Sequence, residues 1–202
     1  MEETTRALII VDVQPTFCEG GALAVEGGNV VAEKIADFVQ DNLDEYALIV
    51  TTQDWHINPG SHFSDTPDFM DTWPPHGIAG TPEAELHEAI ASLPIDVEVK
   101  KGEYAAAYSG FEGTIGGDDG GEGLGAWLDA HDVDHVDARE QLLDERLGNG
   151  HPRIVPSRGH PAVPRGHWPA APGPQPRRWK VSVKATPSRV LWALIVPPIL
   201  AM

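Results

Sequence analysis

The sequence predicts an α/β fold built on a parallel sheet. Segment 7–13 is nearly all apolar and rich in branched residues, as expected of a central strand covered on both faces. Segment 47–55 indicates a second buried strand and 97–102 a third, with helical patterns between them. This alternation is typical of parallel sheets, because their strands are joined by crossover helices. A length of 202 residues suits one domain with a sizeable core.

The helices and remaining elements follow from local patterns. The helix predicted at 29–43 has apolar residues at helical spacing, with Asn29 as a favourable N-cap. The helix predicted at 81–93 begins with Thr, Pro and acidic residues, which is an N-terminal signature. The last predicted elements are a loop at 104–123, a helix at 124–133 and the opening of a fourth strand at 134–138.

Three charged residues stand at the ends of predicted strands. Asp12, Asp54 and Lys101 each fall at the carboxyl end of a different strand. Any one of them alone would be interpreted as a solvated loop charge or a helix cap. In parallel sheets, however, ligands bind outside the carboxyl ends of the strands. The three together therefore predict a site at this edge.

The composition restricts the class of partner. A formal net charge of −17 argues against nucleic acid and membrane partners, because both polyanions bind basic surfaces. We expect a small-molecule partner, and a homo-oligomer stays open. The N-terminus lacks the basic region of a secretory signal, and the single cysteine agrees with a reducing compartment, so we predict a cytoplasmic protein. The apolar run 190–202 is shorter than the roughly 20 residues that a membrane-spanning helix needs.

The composition changes near position 138. Residues 1–138 contain four Lys and Arg against 28 Asp and Glu, whereas 139–202 contain ten against three and hold 11 of the 18 prolines. We therefore predict an α/β domain at 1–138 and a divergent Arg/Pro-rich tail at 139–202, with little regular structure from about 151 to 178. Within the tail, 139–148 could form a short helix, and 180–185 has strand alternation.

A set of metal-type ligands follows the second strand. Asp54, His56 and His62 lie within nine positions of one another, and His76 follows in a rigid Pro-Pro turn. A carboxylate with imidazoles suits Zn(II), Fe(II) or Mn(II) better than Ca(II). We therefore predict one divalent metal ion. His87 lies inside the helix predicted at 81–93, and we expect it at the surface.

Four stretches of the sequence carry a family resemblance. They are IIVDVQPTFCEGGALAV, TQDWHINPGSHFSDTPDF, WPPHGIAGTPEAEL and KGEYAAAYSGFEG. In this order and spacing they resemble the nicotinamidase/pyrazinamidase branch of the isochorismatase-like cysteine hydrolases, from about residue 7 to residue 137. The resemblance implies a Rossmann-like three-layer α/β/α fold around a parallel sheet, with an incomplete C-terminal part where the tail diverges.

The same resemblance implies a reaction and residue roles. The reaction is hydrolysis of nicotinamide to nicotinate and ammonia through an acyl-enzyme, with pyrazinamide as a further substrate. Asp12 would be the general acid and base, and Lys101 the cation that positions the nucleophile and favours its thiolate. The metal, which binds the pyridine ring nitrogen and orients the substrate, would be held by Asp54, His56, His62 and His76. The ring pocket, whose aromatics could equally be ordinary core residues, would be walled by Phe17, Trp73 and Tyr108.

The nucleophile of this chemistry is missing from its expected place. In the family, the strand that begins here at 135–138 continues into a motif like G-I-A-T-D-x-C-V, whose cysteine opens a helix. This sequence reads VDAREQLLDERLG instead, with no cysteine after Cys18. The change to Arg, Pro, Gly and Ala is typical of an out-of-frame reading of a G+C-rich gene. We therefore hypothesise a frameshift near codon 138, either natural or a sequencing error, and an unaltered frame in an independent clone would contradict the sequencing error. A genuine second segment is the less favoured alternative, because it would have to replace the last strands and helices of the sheet.

Three functions stay open on this sequence. The first is the nicotinamidase-type amidase, and Cys18 is interpreted as packing, because many relatives that also own the catalytic cysteine carry a cysteine there. Recruitment of Cys18 as a substitute nucleophile is less favoured, because a shift of about an ångström from the attack geometry can cost about a hundredfold in rate. The second is a protein that binds the metal and a pyridine ligand without turnover. The third is hydrolysis by metal-activated water with Asp12 as base, which chelation would abolish and thiol alkylation would not. Isochorismatase activity is less favoured, because those relatives lack the metal set.

Overall fold

The computed structural model describes residues 4–117, 121–140 and 180–182. Its strands are β1 Arg6–Val11, β2 Leu48–Asp54, β3 Val97–Lys101, β4 Thr114–Ile115, β5 His135–Glu140 and β6 Lys180–Ser182. Its α-helices are α1 Gly28–Asp41, α2 Glu88–Ala91 and α3 Leu124–Ala130. Single 3-10 turns lie at Pro15–Phe17, Leu43–Glu45, Gly60–His62 and Gly110–Glu112.

The described strands form one mixed sheet in the order β4-β3-β2-β1-β5-β6. All neighbours are parallel except β4, which pairs antiparallel with β3. The predicted parallel sheet is confirmed. The edge strand β4 lies within the segment predicted as a loop, where its two residues are too few to give a periodic signal.

Alternation along the central strand builds a core on each face of the sheet. Leu8 and Ile10 of β1 pack in a cluster with residues of α1 and α2. Ala7, Ile9 and Val11 point the other way and pack in a cluster with residues of α3. Burial of each large side chain contributes roughly 1.5–3 kcal/mol. The sheet is therefore covered by helices on both faces, which confirms the three-layer α/β/α architecture.

The helix predicted at 81–93 is much shorter in the structure, where only Glu88–Ala91 is α-helical. The reason is long-range hydrogen bonding by the preceding carbonyl groups. The Glu83 carbonyl oxygen accepts from the Thr16 N–H at 3.1 Å. The Ala84 carbonyl oxygen accepts from the side chains of Gln14 and Gln53. These bonds use acceptors that a continuous helix would need for its own N–H groups.

Two further expectations, the exposure of His87 and the N-cap of α1, are wrong. His87 is buried rather than at the surface, because it is the N-cap of α2 and its Nδ1 accepts from the Ala89 N–H. Asn29 is not the N-cap of α1, since that helix begins at Gly28 after Gly27, whose φ is 81°. The Asn29 side chain instead donates to Glu19.

Part of the divergent tail joins the sheet. Strand β6, which lies within the strand predicted at 180–185, extends the sheet beyond β5. Arg139 and Glu140 belong to β5 rather than to the predicted short helix, whose remaining residues lie outside the described ones. The expectations for 151–178 and for the apolar run 190–202 also lie outside the described residues. Within the described ranges, no helix is both long and apolar enough to cross a membrane.

Candidate active site

The adjacent ends of β1, β2 and β3 bring three charged side chains together. Lys101 Nζ lies 3.2 Å from Asp12 Oδ2 and donates to Asp54 Oδ1. All three side chains are buried. One ammonium group therefore lies between two carboxylates at the carboxyl edge of the sheet, which is the convergence that the strand ends predict.

The charges of this cluster shift one another's ionisation. Burial raises the pKa of Asp12, opposed by Lys101 and reinforced by the Asp54 carboxylate. Burial acts in the same sense on Asp54, but the Lys101 ammonium and His76 outweigh it and hold the pKa of Asp54 below its ordinary value. Burial disfavours the Lys101 ammonium, yet the two carboxylates outweigh it and raise the pKa of Lys101. Asp12 is therefore the carboxyl group best suited to hold a proton.

The backbone of Asp12 is held in an uncommon conformation by Thr52. Asp12 has a φ of 52°, in the left-handed region that non-glycine residues rarely adopt. Its N–H donates to the Thr52 carbonyl oxygen at 3.1 Å, and the Thr52 hydroxyl donates to Asp12 Oδ1 at 2.7 Å. Both bonds fix the direction in which the carboxyl group faces Lys101.

Three buried histidines form a cluster next to these charges. His56 follows β2, His62 ends the turn Gly60–His62, and His76 follows the Pro-Pro pair. The ring centroid of His56 lies 5.1 Å from that of His62 and 4.8 Å from that of His76. A donor atom from each ring lies within 4.8 Å of the other two. Asp54 Oδ2 lies 3.9 Å from His56 Nε2 and 3.6 Å from His76 Nε2.

The hydrogen bonding of these rings fits a metal ion. The Nδ1 atoms of His56 and His76 bond to the carbonyl oxygens of Gly102 and Pro74, at 2.6 and 2.8 Å. The Nε2 atoms of these two rings are thereby left as donors for a metal ion. Among the described residues, the buried His56 Nε2 and His62 Nδ1 have no hydrogen-bond partner. Such orphaned ring nitrogens beside a carboxylate form a donor set suited to a divalent ion.

Two of the histidines, His56 and His62, are also in the protonation state that a metal requires. Burial lowers the pKa of His56 below its ordinary value. Burial, together with His76 and His56, lowers the pKa of His62 to about 4. Both rings are therefore neutral at pH 7, and the neutral imidazole is the metal-binding form.

The three aromatic residues predicted to wall a ring pocket border the histidine cluster. The Phe17 ring lies 6.3 Å from that of His76, and the Tyr108 ring 5.9 Å from that of His62. The backbone N–H of Trp73 donates to the backbone carbonyl oxygen of His62 at 2.7 Å. The structure thus gathers all nine candidate residues at one edge of the sheet.

Several residues that shape the site were missed at the sequence level. Thr52 and Gln14 bond to Asp12 and Asp54 from 40 positions away, a separation that no local pattern reveals. Gly77 and Gly102 have φ values of 51° and 77°. A Cβ at Gly77 would lie 2.9 Å from Asp54 Cβ, and one at Gly102 would lie 2.5 Å from His56 Cε1. A glycine beside a candidate ligand was the one available signal.

Cys18 directly follows the turn Pro15–Phe17. Its thiol is buried and donates to the Gln14 carbonyl oxygen at 3.5 Å. It lines an open cavity of about 490 Å³ together with Glu19 and His87. Of the described residues, the lining of that cavity includes neither Asp12 nor Lys101. This placement agrees with a packing role for Cys18.

Comparison with known proteins gives a consistent set of similarities. Residues 6–136 match the isochorismatase domain. The nicotinamidase/pyrazinamidase of Mycobacterium tuberculosis is 50% identical over 132 residues, which cover 65% of this chain and 69% of that protein.

Two solved structures are similar in fold. The pyrazinamidase of Pyrococcus horikoshii in complex with zinc has a TM-score of 0.54 and 33% identity, and the match covers 69% of this chain and 71% of that one. The L. infantum protein PnC1 in complex with nicotinate has a TM-score of 0.53 and 28% identity, with coverages of 68% and 67%.

Proposed function

This chain belongs to the isochorismatase family, and from that membership we propose that its site is a nicotinamidase-type site for hydrolysis of nicotinamide to nicotinate and ammonia. The observation that carries the proposal is the buried Asp12–Lys101–Asp54 cluster beside three buried imidazoles. Pyrazinamide, a related ring carboxamide, is the second substrate that we propose. We assign the reaction to the cytoplasm, in pyridine nucleotide salvage.

The metal in this proposal is one Zn(II), Fe(II) or Mn(II) ion. Its ligands would be Asp54, His56, His62 and His76. A zinc complex of a similar pyrazinamidase and the orphaned ring nitrogens support this assignment. When bound, the ion would hold the pyridine ring nitrogen and so fix the carboxamide relative to Asp12.

The chain's own residues would supply three further functions: enclosure of the ring, a proton and a positive charge. Phe17, Trp73 and Tyr108 would enclose the aromatic ring and exclude water from it. Asp12, whose pKa burial raises, would hold the proton that passes to the departing ammonia. Lys101 stays charged beside it and would stabilise an anionic nucleophile.

A second function is favoured by one specific observation. The 202-residue sequence contains a single cysteine, and Cys18 lines a cavity whose lining does not include Asp12 or Lys101. A site with metal ligands and a ring pocket but no placed thiol would bind pyridine carboxamides without turning them over. Nicotinamide binding without ammonia release is the result expected of this alternative.

Ammonia release from nicotinamide by the metal-loaded protein tests the two functions. A Cys18→Ala variant is measured beside the unaltered chain, and nicotinamide binding is followed by calorimetry for both. Turnover that the variant loses would make Cys18 the nucleophile and contradict its packing role. If both proteins bind nicotinamide and neither releases ammonia, the non-catalytic function is supported. Absence of both binding and turnover would contradict the proposed pyridine site.

Turnover retained by Cys18→Ala would point to metal-activated water with Asp12 as base. Chelation should then abolish ammonia release, whereas thiol alkylation should leave it intact. In a thiol mechanism, both treatments should reduce the rate.

A further inference from the structure

Gln14 is completely buried at the carboxyl edge of the sheet, and the function proposed above gives it no role. Its carboxamide bonds to both backbone groups of Asp54. The Asp54 N–H donates to Gln14 Oε1 at 2.8 Å, and Gln14 Nε2 donates to the Asp54 carbonyl oxygen at 2.9 Å. The same Nε2 also donates to the Ala84 carbonyl oxygen at 2.7 Å.

The place where β1 ends explains these bonds. Val11 and Thr52 form the last residue pair between β1 and β2. Asp12, with its positive φ, then turns the chain out of the sheet. Strand β2 continues to Asp54, whose N–H and carbonyl on the β1 side would otherwise lack a strand partner. The Gln14 carboxamide takes the place of the missing peptide group of β1.

We propose that Gln14 is a positioning residue that fixes the backbone of Asp54 and thereby the geometry of the metal centre. The Asp54 carboxylate bonds to Lys101 through Oδ1 and presents Oδ2 toward His56 and His76. A shift of the Asp54 backbone would move both oxygens together. The inference rests on the proposed metal site, because it concerns the shape of that site.

Gln53 provides a matched control. It is buried like Gln14, and its Nε2 donates to the same Ala84 carbonyl oxygen at 3.0 Å. Gln53→Met removes a buried carboxamide but leaves the bonds between Gln14 and Asp54. Gln14→Met removes both of those bonds with a side chain of similar size. Gln14→Asn keeps a neutral carboxamide but is one methylene too short to bond to both backbone groups of Asp54, so it serves as a second variant where Gln14→Met does not fold.

The test is zinc affinity by competition with a chromophoric chelator, together with the visible absorption of the Co(II)-loaded protein, which reports ligand geometry. We expect Gln14→Met and Gln14→Asn to weaken zinc binding about tenfold or more and to change the Co(II) spectrum, with a smaller change in Gln53→Met. Wild-type zinc affinity and Co(II) spectrum in the folded Gln14 variants would overturn the positioning role of Gln14. An equal loss of zinc affinity in Gln53→Met would do the same, and either result would leave the proposed metal site standing. No zinc binding by the unaltered chain would overturn the proposed metal site and, with it, this inference.

Discussion

The two ends of the parallel sheet carry ionic clusters of different composition. At the amino end, the Asp137 carboxylate accepts from Arg6 and from the Tyr46 hydroxyl, and His135 lies 3.3 Å from its other oxygen. Arg6 is partly exposed and also pairs with the exposed Glu45. One guanidinium group serves two carboxylates here, but only the Asp137 carboxylate is buried, and both of its oxygens have partners.

At the carboxyl end, a single buried ammonium group serves two buried carboxylates. Asp12, Asp54 and Lys101 are each at least nine-tenths buried, and beside them lie imidazole nitrogens that have no hydrogen-bond partner among the described residues. Burial of charge is costly unless it is paired, so one ammonium group shared by two buried carboxyl groups is unfavourable for stability alone. The amino-end cluster is therefore structural, whereas the carboxyl-end cluster is suited to bind a cation.

The largest difference between the two ends should appear when each loses its cation. Lys101→Met leaves two buried carboxylates without a counter-charge and should lower the free energy of unfolding by about 3–5 kcal/mol. Arg6→Met removes a partly exposed partner and should cost about 1 kcal/mol or less. Urea unfolding of both metal-free variants measures this. Equal losses would contradict the contrast between the two ends.

Two glycines at the carboxyl end distinguish the effect of contact with Asp54 from that of backbone strain. Gly77 and Gly80 both have positive φ values, so alanine should cost each about 1 kcal/mol of backbone strain. Only at Gly77 would the added Cβ meet Asp54, since the space at Gly80 is open. Gly77→Ala should therefore weaken zinc binding about tenfold, and Gly80→Ala should leave it unchanged. A parallel loss of affinity in both variants, measured by chelator competition, would argue against contact with Asp54 as the cause.

The smallest effect concerns pH at the amino end. Burial opposes ionisation of Asp137, but the bonds from Tyr46 and Arg6 outweigh it and hold its pKa below the ordinary value. The resulting stabilisation is present above the unfolded pKa of about 3.9 and is lost as pH falls through the lower folded pKa. Asp137→Asn should therefore be less stable than wild type at pH 6, by about 1 kcal/mol or less, and the gap should narrow toward pH 2. A gap that widens on acidification in urea titrations would contradict the sign.

The central sheet and most residues of the candidate site could be predicted from the sequence. Periodic apolar segments gave β1, β2, β3 and the helices on both faces, because side-chain alternation and helical spacing are local properties. The strand ends placed Asp12, Asp54 and Lys101 at one edge, since parallel neighbours share their carboxyl ends. The histidines followed from their short spacing and from the family resemblance.

The hydrogen bonds that hold these residues in place could be found only in the tertiary structure. The segment 81–93 is mostly non-helical because its carbonyls accept from distant side chains, and His87 caps a helix instead of facing solvent. The roles of Thr52 and Gln14 depend on bonds across 40 positions of the chain. Local propensity contributes tenths of a kcal/mol per residue, whereas a buried unpaired polar group costs about 1–3 kcal/mol. Long-range hydrogen bonds therefore override the local pattern wherever a buried backbone group needs a partner.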